Sequence, residues 1–176
     1  LKAPPGISEV YVEAIYNTSS KSLPHDVLWN ELQRAVGESG KLRLASRDHS
    51  DAHLRAHLVN ASILQIDPID KASVKDPVYQ PGAEPANYRS FRNLNVAARY
   101  AAKEVMQMSL AVDLIDRNTG KTIFSRTYPL SRTYSIINLA GTPSNLFQRA
   151  EEAFESNFQI ASKEVSKQII GDILRR

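Results

Sequence analysis

Apolar and polar residues alternate along four stretches of the chain and follow helical spacing along two others. Glu9–Tyr16 is rich in β-branched and aromatic residues and reads as a first strand. Val10, Val12, Ala14 and Tyr16 fall on one face, with Tyr11 and Ile15 on the other, which predicts a central strand covered on both sides. Leu28, Leu32, Ala35 and Val36 then recur at helical spacing, flanked by Trp29. Ser22 is placed to cap this helix, Pro24 suits its first turn, Asp26 its positive end, and Gly37 with Gly40 its close. A short apolar segment, Lys41–Ala45, precedes a polar turn at Ser46–Ser50.

Ala52–Ile66 is a second long strand in which Ala52, Leu54, Ala56 and Leu58 alternate with His53, Arg55 and His57. The parity slips near Val59–Asn60, since Ala61 and Ile63 continue on odd positions, and one extra residue in a β-bulge explains the slip. Arg99–Ile115 forms the third strand, with Met106, Met108, Leu110, Val112 and Leu114 directed inward. Asp116–Lys121 (D-R-N-T-G-K) is a hairpin turn, because Asn118 and Gly120 both tolerate positive φ. The fourth strand runs from Thr122 to about Tyr134. Phe124, Tyr128 and Leu130 share a face with Arg126 and Arg132, and Pro129 suits an edge strand or a bulge. Thr142 and Pro143 open the last helix, traced by Phe147, Ala150, Phe154, Phe158, Ala161, Val165, Ile169 and Ile173.

These elements give one α+β domain spanning residues 1–176, of order β-α-β-β-β-α, with two helices packed on one face of a four-stranded mixed sheet and a long C-terminal helix. Between the second and third strands, Asp67–Ala98 carries Pro68, Pro77, Pro81, Gly82 and Pro85 and loses all periodicity. A loop of that length inside a domain is either a partner-contacting element or an insertion with no specific role.

Composition changes this picture little. At 42% hydrophobic and 23% charged residues the chain has material for a sizeable core. The net charge of +3 falls short of the concentrated basic patch of a nucleic-acid binder, so no nucleic-acid partner is expected. Cysteine is absent, which excludes a catalytic thiol, a disulfide framework and a Cys-ligated zinc site within these residues. No apolar run approaches the roughly 18 residues of a membrane span. The chain opens on Leu1-Lys2-Ala3-Pro4-Pro5-Gly6 without a methionine, which reads as a trimmed start downstream of an export signal.

Candidate chemistry is sparse. His49, His53 and His57 recur every fourth residue, a metal-binding spacing on a helix. The surrounding alternation makes this a strand, which sets His53 and His57 about 13 Å apart and argues against a metal site. Neither Asp67/Asp70 nor Glu151/Glu152 is placed in a recognisable pocket, and no G-x-S-x-G elbow, phosphate loop or dinucleotide fingerprint occurs. The expectation is therefore a binding protein without catalytic residues, metal or cofactor, rather than a small hydrolase built from His53 or His57 and a loop serine. Basic residues are more suggestive. Arg117 and Lys121 lie at the hairpin tip and Arg126 and Arg132 along the fourth strand. Arg89, Arg92, Arg99 and Lys103 flank the start of the third. Adjacent strands can gather them into a cationic surface for phosphate groups, while ordinary sheet-edge solubility is the other explanation.

Three segments carry a family resemblance: PPGISEVYVEAIYNTS (Pro4–Ser19), LWNELQRAVGESGKLRLASRDHSDAHLRAHLVNASI (Leu28–Ile63) and MSLAVDLIDRNTGKTIFSRTY (Met108–Tyr128). Together with the long final helix they resemble the LptE-like lipopolysaccharide-assembly lipoproteins over nearly the whole chain. The resemblance implies an outer-membrane protein on the periplasmic side, anchored through a lipidated cysteine upstream of Leu1. It further implies a domain seated in an LptD-type β-barrel, with lipopolysaccharide as a ligand of Arg117, Lys121, Arg126, Arg132, Arg99 and Lys103. Another envelope-lipoprotein scaffold, such as a cell-wall synthase activator or a secretion component, is the alternative. The Asp67–Ala98 loop is longer than the family pattern leads one to expect.

Overall fold

A computed structural model describes residues 1–67, 100–138 and 143–175. The elements are β1 (Glu9–Val12), β2 (Tyr16–Asn17), α1 (His25–Glu38), β3 (Arg43–Leu44), β4 (Ala52–Asp67), β5 (Tyr100–Asp116), β6 (Thr122–Asn138) and α2 (Pro143–Leu174), with one 3-10 turn at Arg47–His49. The Asp67–Ala98 loop, beyond Asp67 itself, and Arg89, Arg92, Arg99 and Thr142 lie outside the described residues.

The fold class is α+β with a long C-terminal helix, but among the described residues the sheet has six strands instead of the expected four. Its order is β3-β1-β4-β5-β6, with β2 paired separately to β4. Two short segments account for the difference. Lys41–Ala45 contributes β3, which pairs in parallel with β1 through Glu9↔Arg43 and Val10↔Leu44. The expected first strand breaks into β1 and β2, both parallel to β4.

That break has a definite geometry. Val12 stands opposite Leu54, whereas Tyr16 stands opposite His57. Four steps along the first segment match three along β4, so one residue is in excess between them. A one-residue excess exchanges the two faces of everything beyond it. Val10 and Val12 are buried, then Ile15 is buried and Tyr16 is 63% exposed. The expected face of Val10, Val12, Ala14 and Tyr16 is thus corrected.

The backbone of β4 departs from regular strand geometry where the alternation slips. Asn60 adopts φ +54 and is exposed, immediately after the buried run Ala52, Leu54, Ala56 and Leu58. A left-handed residue in a strand is the mark of a bulge, and asparagine tolerates it better than most residues. At the hairpin, Gly120 takes the positive φ of +71. Asn118 does not, and its N–H donates to Asp116 Oδ1 at 2.8 Å. Arg117 N–H, just past β5, donates to Asp51 C=O, just before β4, so these two strands run antiparallel.

The chain divides into two compact units, the first comprising Leu1–Ser62, Gln107–Ser131 and Phe158–Arg176. Its core joins even-numbered strand residues (Val10, Val12, Leu54, Leu58, Leu110, Leu114, Tyr128) to Leu28, Leu32 and Val36 of α1 and Phe158, Val165, Ile169 and Ile173 of α2. Among the described residues of this unit the even-numbered face of the strands is the one that joins residues of α1 and α2 in the core, so both helices cover the same side. Each fully buried leucine contributes roughly 2–3 kcal/mol, and Leu54→Ala would cost about 2–5 kcal/mol once the cavity is counted. Trp29 Nε1 donates to Val12 C=O at 3.2 Å and fixes α1 to the end of β1. Pro24, not Ser22, is the residue before α1, and no side chain caps it. Gly37 continues the helix, and the chain leaves it at Gly40 with φ +66.

The second unit comprises Ile63–Met106 and Arg132–Asn157. Within it Tyr134, 6% exposed, donates to Glu104 Oε2 at 3.1 Å, and Arg132 Nε donates to Asn157 Oδ1 at 2.7 Å.

Candidate functional site

Odd-numbered residues of β1 and β4 point away from the helices, and the register break adds Tyr16 to them. An open depression of about 450 Å³ results, lined by Tyr11, Glu13, Ala14, Tyr16, Arg47 and Arg55. β1 supplies Tyr11, the 3-10 turn supplies Arg47, and β4 supplies Arg55.

Glu13 is the organising residue. Its side chain is 17% exposed, and its Oε2 accepts from Arg55 Nε at 2.8 Å. The hydrogen bond and charge of Glu13 raise the Arg55 pKa, so this guanidinium stays charged. His53 Nδ1 stands 3.7 Å from Glu13 Oε1, its Nε2 lies 3.1 Å from Arg47 C=O, and its ring meets the Tyr11 ring edge-on at 5.3 Å. Arg47 itself is exposed and, among the described residues, has no ion-pair partner. Glu13, Arg55 and His53 therefore form a braced floor, and Arg47 and Tyr16 are the exposed members of the rim.

A second depression of about 300 Å³ lies against β4, β5 and β6, lined by Asn60, Ser62, Gln107, Met108, Ser109, Pro129 and Ser131. Among the described residues it carries amides and hydroxyls and no charge. β6 also presents Ser125, Thr127 and Pro129 as exposed residues, in keeping with its place at the end of the strand order.

The sequence-derived basic residues occupy several environments. Arg117 and Lys121 are both exposed at the β5–β6 turn, where Arg117 Nη1 reaches Ser50 C=O at 3.4 Å. Arg126 Nη1 donates to Asp172 Oδ2 of α2 at 2.9 Å and also lies over the Tyr128 ring at 5.5 Å. Arg132 belongs to the second unit, bonded to Asn157, and Lys103 is an exposed residue of that unit. Of the set, Arg117 and Lys121 share one turn, Arg126 and Arg132 are each engaged with α2, and Arg99 lies outside the described residues.

His53 and His57 lie on β4 as the alternation indicated, and His49 sits in the 3-10 turn, where its Nδ1 is 2.9 Å from Ser46 Oγ. That Ser–His contact spans three residues at an exposed turn. The depression beside Tyr16 was not foreseen. The unequal count between Val12–Tyr16 and Leu54–His57 creates it, and only strand pairing reveals that inequality.

No protein-family model matches the chain, and no curated protein matches it. Solved structures do. A neuraminyllactose-binding hemagglutinin homologue from Helicobacter pylori aligns at TM-score 0.52 with 14% identity, over 96% of this chain and 84% of that one. The minor lipoprotein of Acinetobacter baumannii aligns at 0.48 with 11% identity, over 96% of each chain. A Neisseria meningitidis lipoprotein aligns at 0.42 with 10% identity, over 85% of this chain and 96% of that one. Structures similar to this chain thus include bacterial lipoproteins. At these identities the likeness is one of fold. Among the described residues no helix is long and apolar enough to cross a membrane.

Proposed function

We propose that this chain is the periplasmic-side domain of an outer-membrane lipoprotein that acts without catalysis, seated in an LptD-type barrel and assisting lipopolysaccharide delivery. The observation that carries this reading is the one-sided architecture: two helices cover one face of the sheet, while the other presents a polar surface with Tyr11, Arg55, Gln107 and Ser109 on it. A domain that seats against a barrel wall needs a rigid helical back and a broad polar front, with shape complementarity in place of an active site. The three segments that resemble the LptE-like lipoproteins supply the identity of the barrel.

Co-purification from detergent-solubilised outer membrane tests the reading. A stoichiometric β-barrel partner of large mass supports it. A peptidoglycan synthase in its place points to the synthase-activator alternative, and the absence of any barrel overturns the proposal.

Lipopolysaccharide contact is proposed for the same basic residues. Reversing Arg126 or Arg132 would also disturb their bonds to α2, so Arg117→Glu with Lys121→Glu is the cleaner test. Pull-down of lipopolysaccharide at moderate salt should weaken, since charge-assisted contacts to phosphates carry the attraction. Unchanged capture removes this turn from the site.

A further inference from the structure

The depression beside Tyr16 has a chemistry that points to a ligand. We propose that Tyr11, Glu13, Tyr16, Arg47 and Arg55 bind an acidic sugar, a pyranose ring carrying one carboxylate or phosphate group. The proposal does not depend on the barrel-seating function, although Tyr11 and Arg55 lie on the same polar face.

Three observations on different side chains converge. First, Tyr16 is 63% exposed although it belongs to a strand residue paired with β4. An aromatic ring on open display, with Tyr11 lining the same hollow, offers a flat apolar face with a polar tip. The C–H face of a pyranose matches such a face, and its hydroxyls match the phenol rim. Second, Glu13 is 17% exposed and oriented by Arg55 and His53. Arg55 engages Oε2 and His53 stands beside Oε1, and the remaining lone pairs of this fixed carboxylate accept hydrogen bonds from ligand hydroxyls, which a simple anion cannot supply. Third, Arg47 is an exposed guanidinium with no ion-pair partner among the described residues, at the edge of the same hollow. Its planar fork matches a carboxylate or a phosphate.

Size and charge agree. A hollow of about 450 Å³ lies within the range of small-ligand sites. Glu13 and, after it, Asp113 act on Arg55, so Arg47 is the guanidinium left to meet one acid group on the ligand. The floor is already built, because Glu13 meets Arg55 and His53, and His53 meets Tyr11. Little ordering is left to offset on binding.

Titration calorimetry and amide chemical-shift mapping on the full chain test this, with galacturonate, glucose 6-phosphate, glucose and inorganic phosphate as probes. One or both acidic sugars should bind with a Kd on the order of 1 mM. The two acidic probes distinguish a carboxylate from a phosphate source. Shifts should centre on Tyr11, Tyr16, Arg47 and Arg55. Arg47→Ala should weaken binding roughly tenfold, Tyr16→Ala roughly fivefold, and Arg47→Lys should fall between wild type and Arg47→Ala. Ser109→Ala, in the uncharged depression, should leave it unchanged. Both rim side chains are exposed, so their removal leaves the core intact, and circular dichroism confirms that each variant is folded. Absence of binding by both acidic sugars overturns the proposal. So does glucose or inorganic phosphate binding as tightly as they do, or affinity indifferent to Arg47 and Tyr16.

Discussion

The Tyr128 hydroxyl donates to Asp172 Oδ2 across 2.9 Å, and Arg126 Nη1 donates to the same oxygen from 2.9 Å. Arg175 Nη1 reaches the other oxygen at 3.3 Å. One carboxylate, its side chain 10% exposed, thereby ties β6 to the last turn of α2. Asp172→Ala leaves a buried phenol without its acceptor and should cost about 2 kcal/mol, read as a lower urea midpoint. Asp172→Asn keeps an acceptor and should cost less. Equal midpoints for all three proteins would show that the link contributes nothing.

Tyr128 and Tyr134 should make stability fall at alkaline pH. Burial, followed by a neighbouring carboxylate (Asp172 for Tyr128, Glu104 for Tyr134), raises both phenol pKa values above the ordinary 10. Between the unfolded and folded values, the folded chain holds protons that the unfolded chain has released. Stability is therefore fully present below about pH 10 and is lost above it, by about 1.4 kcal/mol per pH unit for each tyrosine. Tyr128→Phe with Tyr134→Phe should flatten this decline. Urea unfolding at pH 9 to 11 measures it, and an equally steep decline in the double variant would locate the cause elsewhere.

Ser162 and Ser166 are fully buried on α2, and among the described residues neither Oγ has a hydrogen-bond partner. Ser→Ala at either position removes an unsatisfied hydroxyl and improves helix propensity. Each substitution should add roughly 1 kcal/mol, and the pair should raise the melting temperature by several degrees. A lower melting temperature for the double alanine variant would mean that the hydroxyls are satisfied.

Asn60 carries the bulge at φ +54. Asn60→Ala forces a Cβ without a compensating amide into the left-handed region and should cost about 1 kcal/mol. Asn60→Gly should be close to neutral, since glycine visits that region freely. A loss from glycine as large as that from alanine, in thermal unfolding, would assign the cost to the lost side chain and not to backbone strain.

Much of this was legible in the chain itself. Alternation at Ala52–Leu58 and Met106–Leu114, and the stripe from Phe158 to Ile173, named core residues that are buried in the structure. Such periodicities are local records of which side faces away from water, so they survive without knowledge of partners. The backbone irregularity at Asn60 was legible for the same reason, because a parity slip within one strand needs no second strand to be seen.

Pairing between distant segments was not legible. Arg43–Leu44 is too short to alternate, and it becomes a strand only because β1 lies beside it. Ser162 and Ser166 look solvent-facing by type, yet they are buried with Phe158 and Val165. Arg126 looked like a surface cation until Asp172, 46 residues away, came within hydrogen-bonding distance. Tyr16 shows the division most clearly. The sequence assigned it to the face of Val10 and Val12, where unbroken alternation puts it. The tertiary structure moved it to the open side beside Tyr11, because a strand's facing is set by what it pairs with, and one unmatched residue between Val12 and Tyr16 reverses it.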